Sequence, residues 1–501
     1  MRKRAANRKP PLGVLLLAGL VLVAAAAAWV GLRHPGDSPA DPPPSASAPA
    51  RPNVNVFIFL IDALRADRLG AYGYKAHATS PGADWLAQRG VVFENACAPA
   101  PWTIPSVAAL FTSTFPCEHD VLSMYDRLPD SADTLAERLK RAGYSTYSRF
   151  GNEFLGPKYG LHQGFDVLLG GGRNGGKKVS AALGPAPPLP FFFYVHNMEP
   201  HNPYHYAPPH TPGFRDVSPD AREQMKLHFK EYKGAAEYDY RRRLPLGTND
   251  MTAIQDQHMA ALGALKDDWN ELYDACVRLA DRRVVTTVEM LQKRGFWDNT
   301  LFIYVADHGE ELGDHGAWLH DQSVYEELMR VPLIVRFPRN EFAGTRVQEV
   351  VSLVDVLPTI FDYLQRPELA AGTRGHSLMS LVRGAQPVPR QPLTVPGMRH
   401  NTTRYYGPWV TTRGDINIVV RRGQWKGIWN VEGDTLELYD LITDPLEQEN
   451  VHAEHPELAE AMRAYAADWY EHCQDQITPA EAAGELDEET LRKLRSLGYI
   501  D

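Results

Sequence analysis

Three stretches of this chain are apolar at nearly every position rather than at every second one. Residues 54–61 (VNVFIFLI), 191–195 (FFFYV) and 300–306 (TLFIYVA) are rich in β-branched and aromatic side chains. That pattern predicts short strands buried on both faces. Helical spacing of apolar residues recurs between them, at 131–142 and 269–294. Alternating strands and helices predict an α/β fold with a mostly parallel sheet sandwiched by helices. Each strand is followed by groups able to carry chemistry: Asp62, then His196 and His201, then Asp307 and His308. Ligands of such sheets bind beyond the C-terminal strand ends, so the site is expected there.

The pattern changes after about residue 407. Short strand candidates at 416–420, 424–429 and 436–440 are separated by glycine-containing turns, and a helical pattern follows at 456–473. This predicts a small C-terminal antiparallel subdomain over 407–501, appended to a catalytic domain over 53–406. At the other end, Arg2, Lys3, Arg4, Arg8 and Lys9 precede an uncharged apolar run at 12–32. Such a run is long enough to cross a bilayer. The basic cluster before it predicts a cytoplasmic N-terminus and an exported remainder. Residues 1–33 therefore read as a transmembrane signal anchor; the small residues Ala24 to Ala28 keep a cleaved signal peptide as the competing reading. Residues 34–52, composed mainly of Pro, Ala, Ser and Asp, read as a disordered linker.

The net charge of −10 over 501 residues argues against general nucleic-acid binding, which needs a basic surface. It leaves room for an anionic substrate, because a bound cation overrides the average field locally. Of the four cysteines, Cys97 and Cys117 bracket Thr103 and are a candidate bridge, with buried free thiols as the alternative.

A dry cluster of carboxylate and imidazole needs neutralisation, and a divalent metal supplies it. Asp62, Asp307 and His308 are the expected ligands. In Trp102-Thr103-Ile104-Pro105-Ser106, Pro105 suits a first helical turn. Thr103 then stands at a helix N-terminus, where backbone N–H groups and the helix dipole favour an anion.

These segments together resemble the sulfatase family of the alkaline-phosphatase superfamily, from about residue 53 onward. The family's run of nucleophile, any residue, Pro, Ser and a small-apolar helix matches 103–113 without a gap. Asp62 matches the first metal ligand, and Asp307 with His308 the second pair. Asn197-Met198-Glu199-Pro200-His201 resembles the segment whose histidine contacts the anionic group. Trp318-Leu319-His320-Asp321 precedes Val331-Pro332-Leu333, where the family has a cationic substrate contact, which falls on His320. The resemblance implies a metal-dependent hydrolase of sulfate or phosphate esters.

The departures bear on mechanism. Sulfatases proper carry Cys or Ser at the nucleophile, oxidised to formylglycine, with Arg four residues later; here Thr103 and Val107 stand there. Threonine bears a methyl group where that oxidation must occur. Ala63 replaces the second Asp of the first pair, and Gly151-Asn152-Glu153 stands roughly where Gly-Lys-Trp-His is expected, which makes Asn152 a candidate substrate contact. A threonine nucleophile resembles the lipoteichoic-acid synthases and phosphoethanolamine transferases, anchored enzymes that use one metal. The resemblance thus implies a single divalent ion, Mn, Zn, Ca or Mg, held by Asp62, Thr103, Asp307 and His308. It also implies a covalent Thr103 intermediate, with His201 and His320 holding oxygens and one of them protonating the leaving group. The expected partner is an anionic ester on a glycan, lipid or small molecule. A phospho-group transferase and an inactive anionic glycan- or lipid-binding module are the alternatives.

Overall fold

The computed structural model describes residues 53–170, 175–204, 213–227, 260–321, 323–384, 397–400 and 416–484, with 488 and 492. The apolar run at 12–32 and the linker at 34–52 lie outside them. Among the described residues no helix is long and apolar enough to cross a membrane.

Eight strands build the main sheet: β1 (Asn55–Ile61), β2 (Val91–Cys97), β3 (Ser145–Arg149), β4 (Val167–Leu169), β5 (Phe191–Asn197), β6 (Thr300–Ala306), β7 (Arg330–Arg336) and β8 (Thr345–Ser352). Their order is β8-β2-β7-β6-β1-β5-β3-β4. All neighbours pair in parallel except β7, which runs antiparallel to both β2 and β6. The three continuous apolar runs occupy the adjacent central strands β1, β5 and β6, and every residue of each is buried. Stacked rings tie these strands at one level: Phe57 lies 5.3 Å from both Phe193 and Phe302. Offset aromatic contacts of this kind add to plain area burial.

Four helices position the site and the C-terminal sheet: α1 (Thr103–Thr112), α2 (Leu135–Arg141), α3 (Lys266–Lys293) and α4 (Pro456–Gln474). All ten residues of α1 are buried. Pro105 falls in its first turn, where a missing N–H removes no helical bond. The helix stops at Ser113, whose backbone is left-handed (φ 55°) and whose N–H returns to the Ala109 carbonyl. α2 starts with a reciprocal cap between Thr134 and Glu137.

A second, antiparallel sheet comes next in the chain, β9 (Gly397–His400), β10 (Ile416–Arg422), β11 (Trp425–Asn430) and β12 (Thr435–Asp440), in sequential order. It packs on α4 through Ile418, Val420, Trp429, Leu436, Leu438 and Met462. The candidate bridge between Cys97 and Cys117 is corrected here. Cys117 pairs with Cys473 of α4, 356 residues away, and Cys97 is a buried thiol. Cys97 ends β2, whereas Cys117 lies past the far end of α1, so the intervening helix holds the two apart.

Candidate active site

Because β1, β2, β3, β5 and β6 point the same way, their C-terminal ends share one edge. Asp62 leaves β1 there, Asn152 follows β3, His201 follows β5, and Asp307 with His308 follows β6. The loop after β2 carries Thr103. A parallel register aligns Ile61 with both Ala306 and Asn197, so the first residues beyond β1, β5 and β6 emerge together.

Asp62, Thr103, Asp307 and His308 are fully buried. One ligand atom from each of Asp62, Asp307 and His308 lies within 4.8 Å of the others. His308 Nε2 is 3.3 Å from Asp62 Oδ1 and 3.7 Å from Asp307 Oδ2. The Thr103 hydroxyl is 3.3 Å from the same nitrogen. His308 Nδ1 donates to its neighbour's carbonyl, Gly309 O, at 2.8 Å, which turns Nε2 toward the cluster. Asp307 is fixed from behind, its Oδ1 accepting the His308 N–H at 3.0 Å. Ser106 Oγ donates to Asp307 O at 2.6 Å, fastening the first turn of α1 to the strand end that bears the ligands.

The donor set fits a divalent ion. Asp62 Oδ1 and Asp307 Oδ2 are buried oxygens that accept no well-formed hydrogen bond. Buried acceptors in that condition are expensive unless a cation meets them. Burial pushes the Asp62 carboxyl up, but the charge of His201 and the close approach of the His308 ring nitrogen outweigh it and hold it below the carboxylate range. Burial pushes His308 down, yet Asp307 and Asp62 raise it to about 9. The raised His308 reports the two carboxylates around it, and the lowered Asp62 reports the imidazoles beside it, so each group holds its partner charged.

His201 and His320 stand beside this cluster. Their rings are 4.9 Å apart, and the His320 ring lies 4.6 Å from that of His308. His201 Nδ1 donates to Asn202 O at 2.6 Å. His320 Nδ1 meets Glu310 Oε1 at 2.9 Å. Burial raises Glu310 to about 7, although the charges of His201 and His308 oppose it. Asn152 Nδ2 reaches Asp62 Oδ2 at 3.4 Å. The structure therefore brings together all seven residues singled out by the sequence.

Two neighbours were not assigned roles by the sequence. His196 is fully buried with Nε2 3.6 Å from Asp62 Oδ2 and 3.7 Å from Asp307 Oδ2. Its position in a strand otherwise apolar at 191–195 was the available signal. Glu310 partners His320 because a two-strand hairpin, Glu311–Leu312 with Trp318–Leu319, folds residue 320 back onto 310. Nothing in the local sequence spacing announces that return.

The family model described as Sulfatase matches residues 54–180 and 176–365, and the one described as N-sulphoglucosamine sulphohydrolase, C-terminal, matches 313–470. The Δ4,5-hexuronate-2-O-sulfatase of Bacteroides thetaiotaomicron is 25% identical over 458 residues, 84% of this chain and 89% of that protein. A solved 2-O GAG sulfatase superposes with a TM-score of 0.64 at 20% identity, over 86% of this chain and 95% of its own. The phosphonate monoester hydrolase of Agrobacterium radiobacter superposes with a TM-score of 0.59 at 21% identity, over 84% and 96%.

Proposed function

The chain belongs to the sulfatase family, hydrolases of sulfuric esters, and from that premise we propose that it cleaves a sulfate ester through a covalent intermediate on Thr103. One observation carries the proposal. The Thr103 hydroxyl, at the N-terminus of α1, lies 3.3 Å from His308 Nε2, inside the cluster whose carboxylate oxygens fit a cation.

A divalent ion held by Asp62, Asp307, His308 and the Thr103 oxygen would lower the pKa of that hydroxyl and polarise an ester oxygen. With its hydroxyl proton released to solvent, Thr103 attacks sulfur in line, forming the Thr103 Oγ1–S bond as the S–O bond to the alcohol breaks. His201 and His320 hold the sulfuryl oxygens, and one of them delivers a proton to the departing alkoxide. Water then attacks sulfur, giving a proton to the histidine that had protonated the alcohol, the Thr103 Oγ1–S bond breaks, and sulfate leaves. Burial of the whole cluster excludes bulk water and strengthens each polar contact. Because Thr103 cannot become formylglycine, release relies on this second displacement.

The alcohol is taken to be a sugar hydroxyl, an assignment supported by the Bacteroides hexuronate sulfatase. Phosphonate monoesters and phosphodiesters are the competing esters for a threonine nucleophile, and the Agrobacterium hydrolase motivates including them. Export from the cytoplasm is part of the reading, with the run at 12–32 as signal or anchor. It is supported by the Cys117–Cys473 disulfide, since such bonds persist in oxidising compartments.

The test is a side-by-side assay of aryl sulfate, sulfated sugar, phosphodiester and phosphonate monoester, with Thr103→Ala and Thr103→Ser. Sulfate turnover that vanishes in the alanine variant and partly survives in the serine variant is expected. Turnover of phosphorus esters alone would replace the sulfate assignment, and full activity in Thr103→Ala would remove the nucleophile.

A further inference from the structure

A second buried cluster of charge lies where the C-terminal sheet meets the main domain. Lys426 on β11, with no exposed surface, places Nζ 2.7 Å from Glu447 Oε1 and 3.1 Å from Glu326 Oε1. Arg421 on β10 donates through Nη1 to both oxygens of Glu326 at 2.9 Å. Glu447 Oε2 accepts the Glu326 N–H at 2.5 Å. A second limb runs alongside: His315 meets Glu447 O at 3.1 Å through Nε2 and Glu327 Oε1 at 2.5 Å through Nδ1. Both limbs converge on the short helical turn Glu326–Met329.

That turn grips the catalytic edge with three successive carbonyls. Glu327 O accepts the Glu310 N–H at 3.0 Å, Leu328 O accepts the Gly309 N–H at 2.8 Å, and Met329 O accepts the Ala98 N–H at 2.7 Å. Gly309 fits so closely that an added Cβ would lie 1.8 Å from Glu327 O. One carbonyl thus holds the exit of β2 toward Thr103. The other two hold the turn directly after Asp307 and His308.

We propose that the C-terminal sheet is a working part of the metal centre. Lys426 and Arg421 act as positioning residues: through Glu326 and Glu447 they fix the 326–329 turn, and that turn fixes the ligands at 307 and 308. The proposal rests on the reading of Asp62, Asp307 and His308 as a metal site. Directional bonds between buried charges tolerate little displacement, because separating them leaves charge uncompensated in a dry interior. The charged bonds act together with an apolar contact, because Leu328 and Met329 of the turn pack with Val419, Ile428 and Tyr439 of the sheet. Coupling of this kind is reciprocal, so an ion bound at the edge must in turn tighten the cluster.

Hydrogen exchange on the unaltered full chain, with Mn²⁺ or Zn²⁺ added and then chelated, tests this without any substitution. Protection is expected to rise on metal binding at 307–312, at 326–329 and also at 416–430. Protection confined to 307–312 would overturn the proposal. Failure of these two ions, and of Ca²⁺ and Mg²⁺, to bind would overturn the metal reading itself, and the coupling with it. A double variant, Lys426→Met with Glu447→Gln, removes one cation and one anion together and leaves the Arg421–Glu326 pair. Its affinity for the ion is expected to fall on the order of tenfold, as for loss of a residue supporting a ligand. Lys426→Arg, which keeps the charge, is expected to retain more of that affinity. A folded double variant with native affinity would overturn the proposal.

Discussion

Two clusters of buried charge can be set side by side. At the catalytic edge, Asp62, Asp307 and Glu310 face His196, His201, His308 and His320, with no lysine or arginine in hydrogen-bond contact with the two aspartates among the described residues. At the subdomain junction, Glu326 and Glu447 face Arg421 and Lys426. Burial is nearly complete in both. The junction balances two acids with two permanent cations. The edge holds acids against imidazoles, which carry charge only when protonated. Burial alone therefore does not mark a functional site; a buried deficit of positive charge does.

Substitutions that invert this balance separate the two roles. Lys426→Met leaves two buried carboxylates with one cation, and chemical denaturation should register a loss of about 4 kcal/mol. Asp307→Asn removes charge from the surplus side. Turnover should fall more than about 100-fold, beyond the effect of losing a ligand's supporting residue, while the melting temperature of the metal-free protein moves little, because relief of carboxylate crowding offsets the lost pairing with His308. A large drop in melting temperature would recast Asp307 as structural. Paired replacement of Cys117 and Cys473 by serine opens a closure spanning 356 residues. It should lower stability by about 3 kcal/mol, in the usual range for native bridges.

The smallest effect is a pH dependence confined to the edge. His308 is raised from 6.5 to about 9 in the metal-free protein, despite burial, by Asp307 and Asp62. A raised imidazole contributes stability that is complete below 6.5 and lost as pH climbs through about 9. Metal takes the place of that proton. Melting curves of chelated protein should therefore decline across this window, and those of metal-loaded protein should decline less. Parallel curves in the two states would mean that His308 is no ligand.

The catalytic edge was largely legible in the sequence because its physics is local. Residues 54–61, 191–195 and 300–306 had to be two-face-buried strands, and parallel strands carry the residues beyond them to a common edge. That pattern placed Asp62, Asp307 and His308 at the edge, whereas His201 was singled out from His196 by the family resemblance. Thr103 was legible from the first helical turn that Pro105 marks, taken together with the resemblance of 103–113 to the family's nucleophile run. What escaped was set by distant return of the chain. Glu310 meets His320 only because a hairpin closes, and the link from Asn152 to Asp62 depends on β3 lying next to β5. The Cys117–Cys473 bridge requires α4 to dock near the far end of α1, and proximity in sequence pointed to the wrong partner for Cys117. The antiparallel insertion of β7 between β2 and β6 also left no trace in its own residues.

The most direct test of the central claim is mass spectrometry of the Thr103 peptide after rapid acid quenching of turnover. Metal-loaded protein would be mixed with excess aryl sulfate and, separately, with a phosphonate monoester. A transient ester on Thr103 that forms and decays with turnover, and that is absent from the inactive Thr103→Ala variant, is the predicted result. Steady turnover with an unmodified Thr103 peptide, retained in Thr103→Ala, would contradict the account.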